Sequence, residues 1–116
     1  MINYYKTAKG RLQQIEQVEK DCWVNVIEPS SSEIEFLSQK LLVDADLIID
    51  PLDADESPRV EHHKNCMLIV CRIPLELGNE EELPYKTLPL GIIFKRDLKT
   101  FKISNHFAML CHFSKL

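Results

Sequence analysis

The chain has 116 residues, a formal net charge of −4, and apolar and charged fractions of 45% and 28%, so it is one soluble-type domain with a single core. No basic stripe exists to neutralise phosphates, which argues against a nucleic-acid partner. The longest apolar runs, Cys66 to Cys71 and Leu88 to Phe94, fall far short of the ~20 residues that cross a bilayer, and Met1-Ile2-Asn3-Tyr4-Tyr5 is not a secretory leader. Four cysteines (Cys22, Cys66, Cys71, Cys111) lack CxxC spacing and sit in apolar company. They read as reduced, buried thiols of a cytosolic protein rather than a disulfide framework.

In chain order, Ile2 to Lys6 is β-prone, Lys9-Gly10 reads as a turn, and Leu12 to Ile15 as a second extended segment, together a hairpin. Cys22-Trp23-Val24-Asn25-Val26-Ile27 is a stronger strand, β-branched and aromatic, ended before Pro29. Trp23, inside an apolar strand, is expected in the core. Ser30 with Glu33 three residues on makes a capping box, and Ile34, Leu37 and Leu41 then form one apolar stripe on a helix of about three turns. Asp44 can cap a second short helix running to about Leu52, with acids near its start where the dipole favours them. Pro58 ends helical character.

From Arg59 the chain alternates, with Lys64-Asn65 as a turn. Cys66 to Cys71 is a continuous apolar run, expected as a central strand buried on both faces. Gly78 to Leu83 is an acidic loop. Lys86 to Lys95 is another strand, in which Pro89 and Gly91 mark an edge position or a bulge. Arg96 to Lys99 turns into a return strand, Thr100 to Ile103, and Asn105 to Leu116 begins an amphipathic helix through Phe107, Leu110 and Cys111. The order of elements predicts an α+β fold: a mixed, mostly antiparallel sheet with helices packed on it. The domain is expected over residues 1–104, with 105–116 as the start of a helix leading out of it.

Charge is unevenly spread. Glu28 to Glu61 holds ten acids against Lys40 and Arg59, whereas Lys86 to Lys102 holds Lys86, Lys95, Arg96, Lys99 and Lys102 against Asp97. Opposed acidic and basic faces point to cations or to a neighbouring subunit. The densest acidic stretch is Asp44 to Glu61, with Asp44, Asp46, Asp50, Asp53, Asp55, Glu56 and Glu61, and Glu35 just upstream. Carboxylate oxygens of this kind suit hard divalent cations. Most of these acids also serve as helix caps and solvated turn residues.

Trp23-Val24-Asn25-Val26 with Pro29 and Glu33 is similar to the W-[IV]-[DN]-[IV]…P…E opening of the CorA-type magnesium transporter family. Leu47-Ile48-Ile49-Asp50-Pro51-Leu52-Asp53 with Pro58-Arg59-Val60-Glu61 resembles its L-x-x-D-x-L-[DN]…[PR]-[RK]-[VIL]-E segment, and Cys66 to Arg72 and Leu88 to Phe94 resemble its later strands. The resemblance covers roughly Met1 to Ile103. It implies a two-layer cytoplasmic domain of a pentameric divalent-cation channel, at the cytoplasmic face of the membrane, without the stalk helix, the two membrane spans or the Gly-Met-Asn pore loop. It further implies a magnesium sensor, with Co2+ or another divalent ion as alternatives. In the family an aspartate at the position of Asp50 faces an acidic residue on the stalk of the adjacent subunit, and bound cation neutralises the pair. Ile49 stands where some relatives carry a second acidic ligand, so Asp50 alone is carried over as the metal residue. As half a site, it is not expected to hold a cation tightly in this chain.

Other readings compete. No D-x-[DN]-x-[DN]-G with a Glu at its twelfth position supports an EF-hand. His62, His63 and Cys66, with His106, Cys111 and His112, raise zinc, but adjacent strand histidines face opposite ways. The zinc-transporting branch of the family stays open. So does an interaction module of the same fold, without metal. No nucleophile with a base, Gly-rich phosphate loop or G-x-S-x-G is present, so no enzyme is expected.

Overall fold

Two residues with positive φ, Lys9 (52°) and Gly10 (74°), fold the start of the chain back on itself, as a two-residue hairpin requires. The computed structural model describes residues 1–76, 85–95 and 99–104. The hairpin pairs β1 (Ile2–Ala8) with β2 (Arg11–Ile15), and β1 pairs in turn with β3 (Cys22–Ile27), both antiparallel. Two helices follow, α1 (Ser31–Leu41) and α2 (Ala45–Ile49), then a 3-10 turn over Asp50–Leu52. The remaining strands are β4 (Arg59–His62), β5 (Cys66–Glu76), β6 (Tyr85–Lys95) and β7 (Lys99–Ser104). All lie in one seven-stranded sheet of order β2-β1-β3-β7-β6-β5-β4. An antiparallel trio and an antiparallel quartet are joined through the parallel β3–β7 pair. The fold is α+β with a mixed sheet, as the order of elements predicts.

The helix starts follow their sequence signals. The Ser30 side chain accepts from Glu33 N at 3.2 Å and Glu33 Oε2 accepts from Ser30 N at 2.9 Å, so the capping box closes both ways. Asp44 Oδ1 accepts from Asp46 N at 3.1 Å and caps α2. That second helix does not continue to Leu52 as a regular α-helix. Pro51 has no N–H to donate, and the chain tightens into the 3-10 turn from Asp50.

The core lies between the helices and one face of the sheet. Leu37, Leu41, Val43, Leu47 and Ile48 meet alternate strand residues Cys22, Val24, Val26, Cys66, Leu68, Val70 and Ile93. Burying such a side chain contributes about 1.5–3 kcal/mol. Leu42 ends α1 in the left-handed region (φ 54°), its N–H bonded to Ser38 O, and leaves its side chain 72% exposed. Lys95 Nζ donates to the Leu41 carbonyl and so ties the end of α1 to β6.

Three expectations change. Cys66 to Cys71 is not buried on both faces. Cys66, Leu68 and Val70 are buried under the helices, whereas Met67, Ile69 and Cys71 are half-buried on the far side, where no described helix lies. Nor is β5 central, since only β4 separates it from the sheet edge. β6, expected at an edge or bulged, lies between β5 and β7 in unbroken register. Pro89 lies opposite Arg72 of β5 within that register. Gly91 is required by packing, not by a bulge: a Cβ there would overlap the Pro51 ring, 2.6 Å from its Cβ. Finally, Trp23 is half-buried on the face away from the helices, outside the core cluster. Its alternation with buried Cys22 and Val24 places it there. The acidic loop after Leu77 and the helix expected from Asn105 lie outside the described residues.

Candidate functional site

Asp50 is the first residue of the 3-10 turn, and the Pro51 ring beside it is buried against Gly91. The carboxylate is therefore set at a defined height above the sheet by a backbone-to-ring contact. Its side chain is 39% exposed. Oδ2 accepts from Arg59 Nη2 at 3.2 Å. Arg59 Nη1 also donates to Glu56 Oε1 and, at 3.1 Å, to the Ser57 carbonyl. Arg59 Nε lies 3.3 Å from Glu61 Oε2, close enough for charge attraction, yet that buried oxygen makes no hydrogen bond. One guanidinium thus faces three carboxylates.

Asp50 registers the imbalance. Partial burial pushes its carboxyl above the usual 3.8; Glu56 pushes the same way, Arg59 opposes, and Asp46 and Glu61 add to the rise. Solvent at this exposure screens each of these interactions, so the direction carries the meaning.

A second arginine holds the loop that carries these acids. Arg72 Nη1 donates to the carbonyls of Ala54 and Glu56, each at 3.0 Å. Its Nε and Nη2 reach Thr87 Oγ1 at 2.9 Å and Thr87 O at 2.8 Å on β6. Asp53 Oδ1 accepts from Asp55 N at 3.0 Å and closes a local turn. Asp53 and Asp55 are exposed, which fits their reading as solvated turn residues.

The donor set suits a hard divalent ion in chemistry: Asp50, Glu56 and Glu61 offer only carboxylate oxygens, one of them buried without a hydrogen bond. It does not form a complete cage. Among the described residues, no group of three His, Cys, Asp or Glu side chains is placed to hold a metal ion. His62 and His63 are exposed, Cys66 is buried beneath the helices, and His106, Cys111 and His112 lie outside the described residues. Burial raises the thiols of Cys66 and Cys71 above their usual range, which makes them poor ligands.

The topology has solved counterparts. The magnesium transporter CorA of Methanocaldococcus jannaschii superposes with a TM-score of 0.72 at 23% identity, covering 91% of this chain and 32% of that one. The soluble domain of the same organism's CorA gives 0.70 at 24% identity, covering 90% of this chain and 40% of that one. The fold is that of a CorA-like soluble domain. At these identities the likeness is one of fold, and the chain spans about a third of the transporter's length. No protein-family model and no curated protein matches the sequence. These two structures are of a transporter and its soluble domain. No helix among the described residues is long and apolar enough to cross a membrane.

Sequence reasoning singled out Asp50 and overlooked both arginines. Arg59 could have been noticed as the only Lys or Arg between Lys40 and Lys64. Arg72 gave no comparable signal, because its partners, the Thr87 hydroxyl and the carbonyls of Ala54, Glu56 and Thr87, are distant in sequence.

Proposed function

We propose that this chain is the cytoplasmic regulatory domain of a CorA-type divalent-cation transporter, that it senses Mg2+ through Asp50, and that its pore lies outside this sequence. The observation that carries the reading is the excess of negative charge fixed at the Asp50 turn, on a fold shared with the CorA soluble domain. Like charges a few ångströms apart at a half-buried site repel unless cationic charge lies among them. Bound Mg2+ would supply a compact double positive charge there. The chain's own part is to hold Asp50 at the surface: Pro51 seats the turn on Gly91, and Arg72 fixes the following loop. Ile49 (45% exposed) adjoins Asp50, and a shallow groove lined by Ile34, Ala45 and Ile49 runs between α1 and α2. These suit contact with a neighbouring subunit of a homo-oligomer, a pentamer in this reading, whose acidic side chain would complete the site. When the cation is scarce, the facing carboxylates repel and that contact loosens.

The domain is non-catalytic in this account, and residues 105–116 lead toward a stalk. The coding sequence beyond Leu116 tests it. Two apolar segments of about twenty residues with Gly-Met-Asn between them are expected. A stop codon directly after Leu116 would remove the transporter assignment.

A further inference from the structure

The face of the sheet turned away from α1 and α2 carries a second apolar cluster. Ile69, Cys71 and Ile73 of β5 lie opposite Ile92, Leu90 and Leu88 of β6, three apolar pairs in succession on that face. Five of the six are half-buried, and Leu88 is only 9% exposed although it stands outside the core under the helices. A strand that is apolar on both faces is suited to a sheet covered on both. We propose that residues 105–116, the chain directly after β7, fold across this face as a helix and form a third layer, with Phe107, Leu110 and Cys111 turned onto β6 and β5. The proposal does not depend on a cation at Asp50. It concerns the path the chain takes before it leads on toward a stalk.

Position, length and chemistry select this segment as the occupant. β7 stops at Ser104, one residue past the Ile103–Gly91 pair. From there β6 runs on with β5 as its only partner among the described residues, from the Leu90–Cys71 pair to Tyr85–Glu76. The chain therefore leaves β7 beside Leu90 and the apolar cluster. The opposite face is already taken there, since Pro51 packs on Gly91 and Arg72 reaches the carbonyls of Ala54 and Glu56. A helix over residues 105–116 would span about 18 Å, and the three strand spacings from β7 to β4 come to about 14 Å. Phe107, Leu110 and Cys111 recur at helical spacing, and Lys115 is the segment's only Asp, Glu, Lys or Arg, so it can lie on an apolar surface. On this path Cys111 lies about 10 Å along the helix from Ser104. Two strand spacings are also about 10 Å, which brings Cys111 over β5, where Cys71 lies.

Proximity of Cys71 to Cys111 in the 116-residue chain tests the proposal. The reduced protein is treated at low concentration with a short bis-maleimide, and linked peptides from the monomer band are identified by mass spectrometry. A Cys71–Cys111 link within the monomer is expected. Its absence there would overturn the proposal, as would a link found only in a cross-linked dimer, which would put a second copy on this face. A second arm reads the Cys71 thiol itself. Leu110→Asp places a charge on the docked stripe, and Cys71 should then react with iodoacetamide about tenfold faster than in the parent, the scale of losing one buried leucine. Cys22 and Cys66, buried under the helices, should keep their parent rates and so report that the main core stays folded. An unchanged Cys71 rate would contradict the docking. Should all three thiols open together in Leu110→Asp, the milder Leu110→Ala is read in the same way: a faster Cys71 alone is expected, and an unchanged Cys71 would contradict the docking. The cross-link in the parent chain needs no variant to fold.

Discussion

Glu33 and Asp50 are both carboxylates at the first turn of a short helical element, and the fold treats them in opposite ways. Glu33 Oε2 accepts from Ser30 N at 2.9 Å and from the N-terminal amine at 3.1 Å. The backbone bond from Ser30 is the chief reason its carboxyl is held below the usual 4.5. Asp50 is partly buried, with acids around it and only the Arg59 guanidinium opposing them, and its carboxyl is pushed up. Where the chain supplies N–H donors, a carboxylate becomes a fixed structural cap. Where it supplies further carboxylates and a single arginine, negative charge stays in excess. That difference, rather than the number of acids, marks Asp50 as the candidate sensor.

The sharpest way to break the contrast is to dislodge the Asp50 turn. Gly91→Val would drive a side chain into the Pro51 ring and is expected to lower unfolding free energy by about 2–3 kcal/mol in urea titration. It should also disturb the amide shifts of Asp50 while leaving those of Glu33 in place. The converse variant, Ser30→Ala, removes the cap that holds Glu33 and should cost about 1 kcal/mol by the same titration, leaving the Asp50 turn untouched.

Titration sharpens the contrast further. For Glu33 the folded value lies below the unfolded 4.5, so its stabilisation is present above that pH and is lost as pH falls through the lowered value. For Asp50 the folded value lies above the unfolded 3.8, so its contribution is full below that pH and is lost as pH rises through the raised value. In Tm measured against pH, Glu33→Gln should therefore flatten the acid-side loss of stability, and Asp50→Asn should remove an opposing slope. If both variants changed the profile in the same sense, the contrast would be wrong. The smallest effect is expected at the far end of α1. Leu42→Gly relieves a left-handed, exposed leucine and should raise stability by about 0.5 kcal/mol.

The features that could be read from sequence were the local ones. The capping box needs only Ser30 and Glu33, the hairpin only Lys9-Gly10, and the α1 stripe only a helical period. β6 was misplaced because its position depends on β7 joining β3 in parallel, a pairing between residues more than seventy apart that no local pattern encodes. Pro89 and Gly91 carry the same letters at a sheet edge as beside a packed proline ring. At the site, Asp50 could be singled out by its resemblance to a family motif. The ion pair with Arg59 joins a 3-10 turn to an edge strand across nine residues, and only the folded chain brings the two together.

The central claim is that negative charge at Asp50 couples the domain to divalent cation. Limited proteolysis of the full-length assembled protein, with and without Mg2+, tests it most directly. The parent protein should be protected by Mg2+, and Asp50→Ala should lose most of that protection while keeping its fold. Protection by Mg2+ that is undiminished in Asp50→Ala would contradict the account.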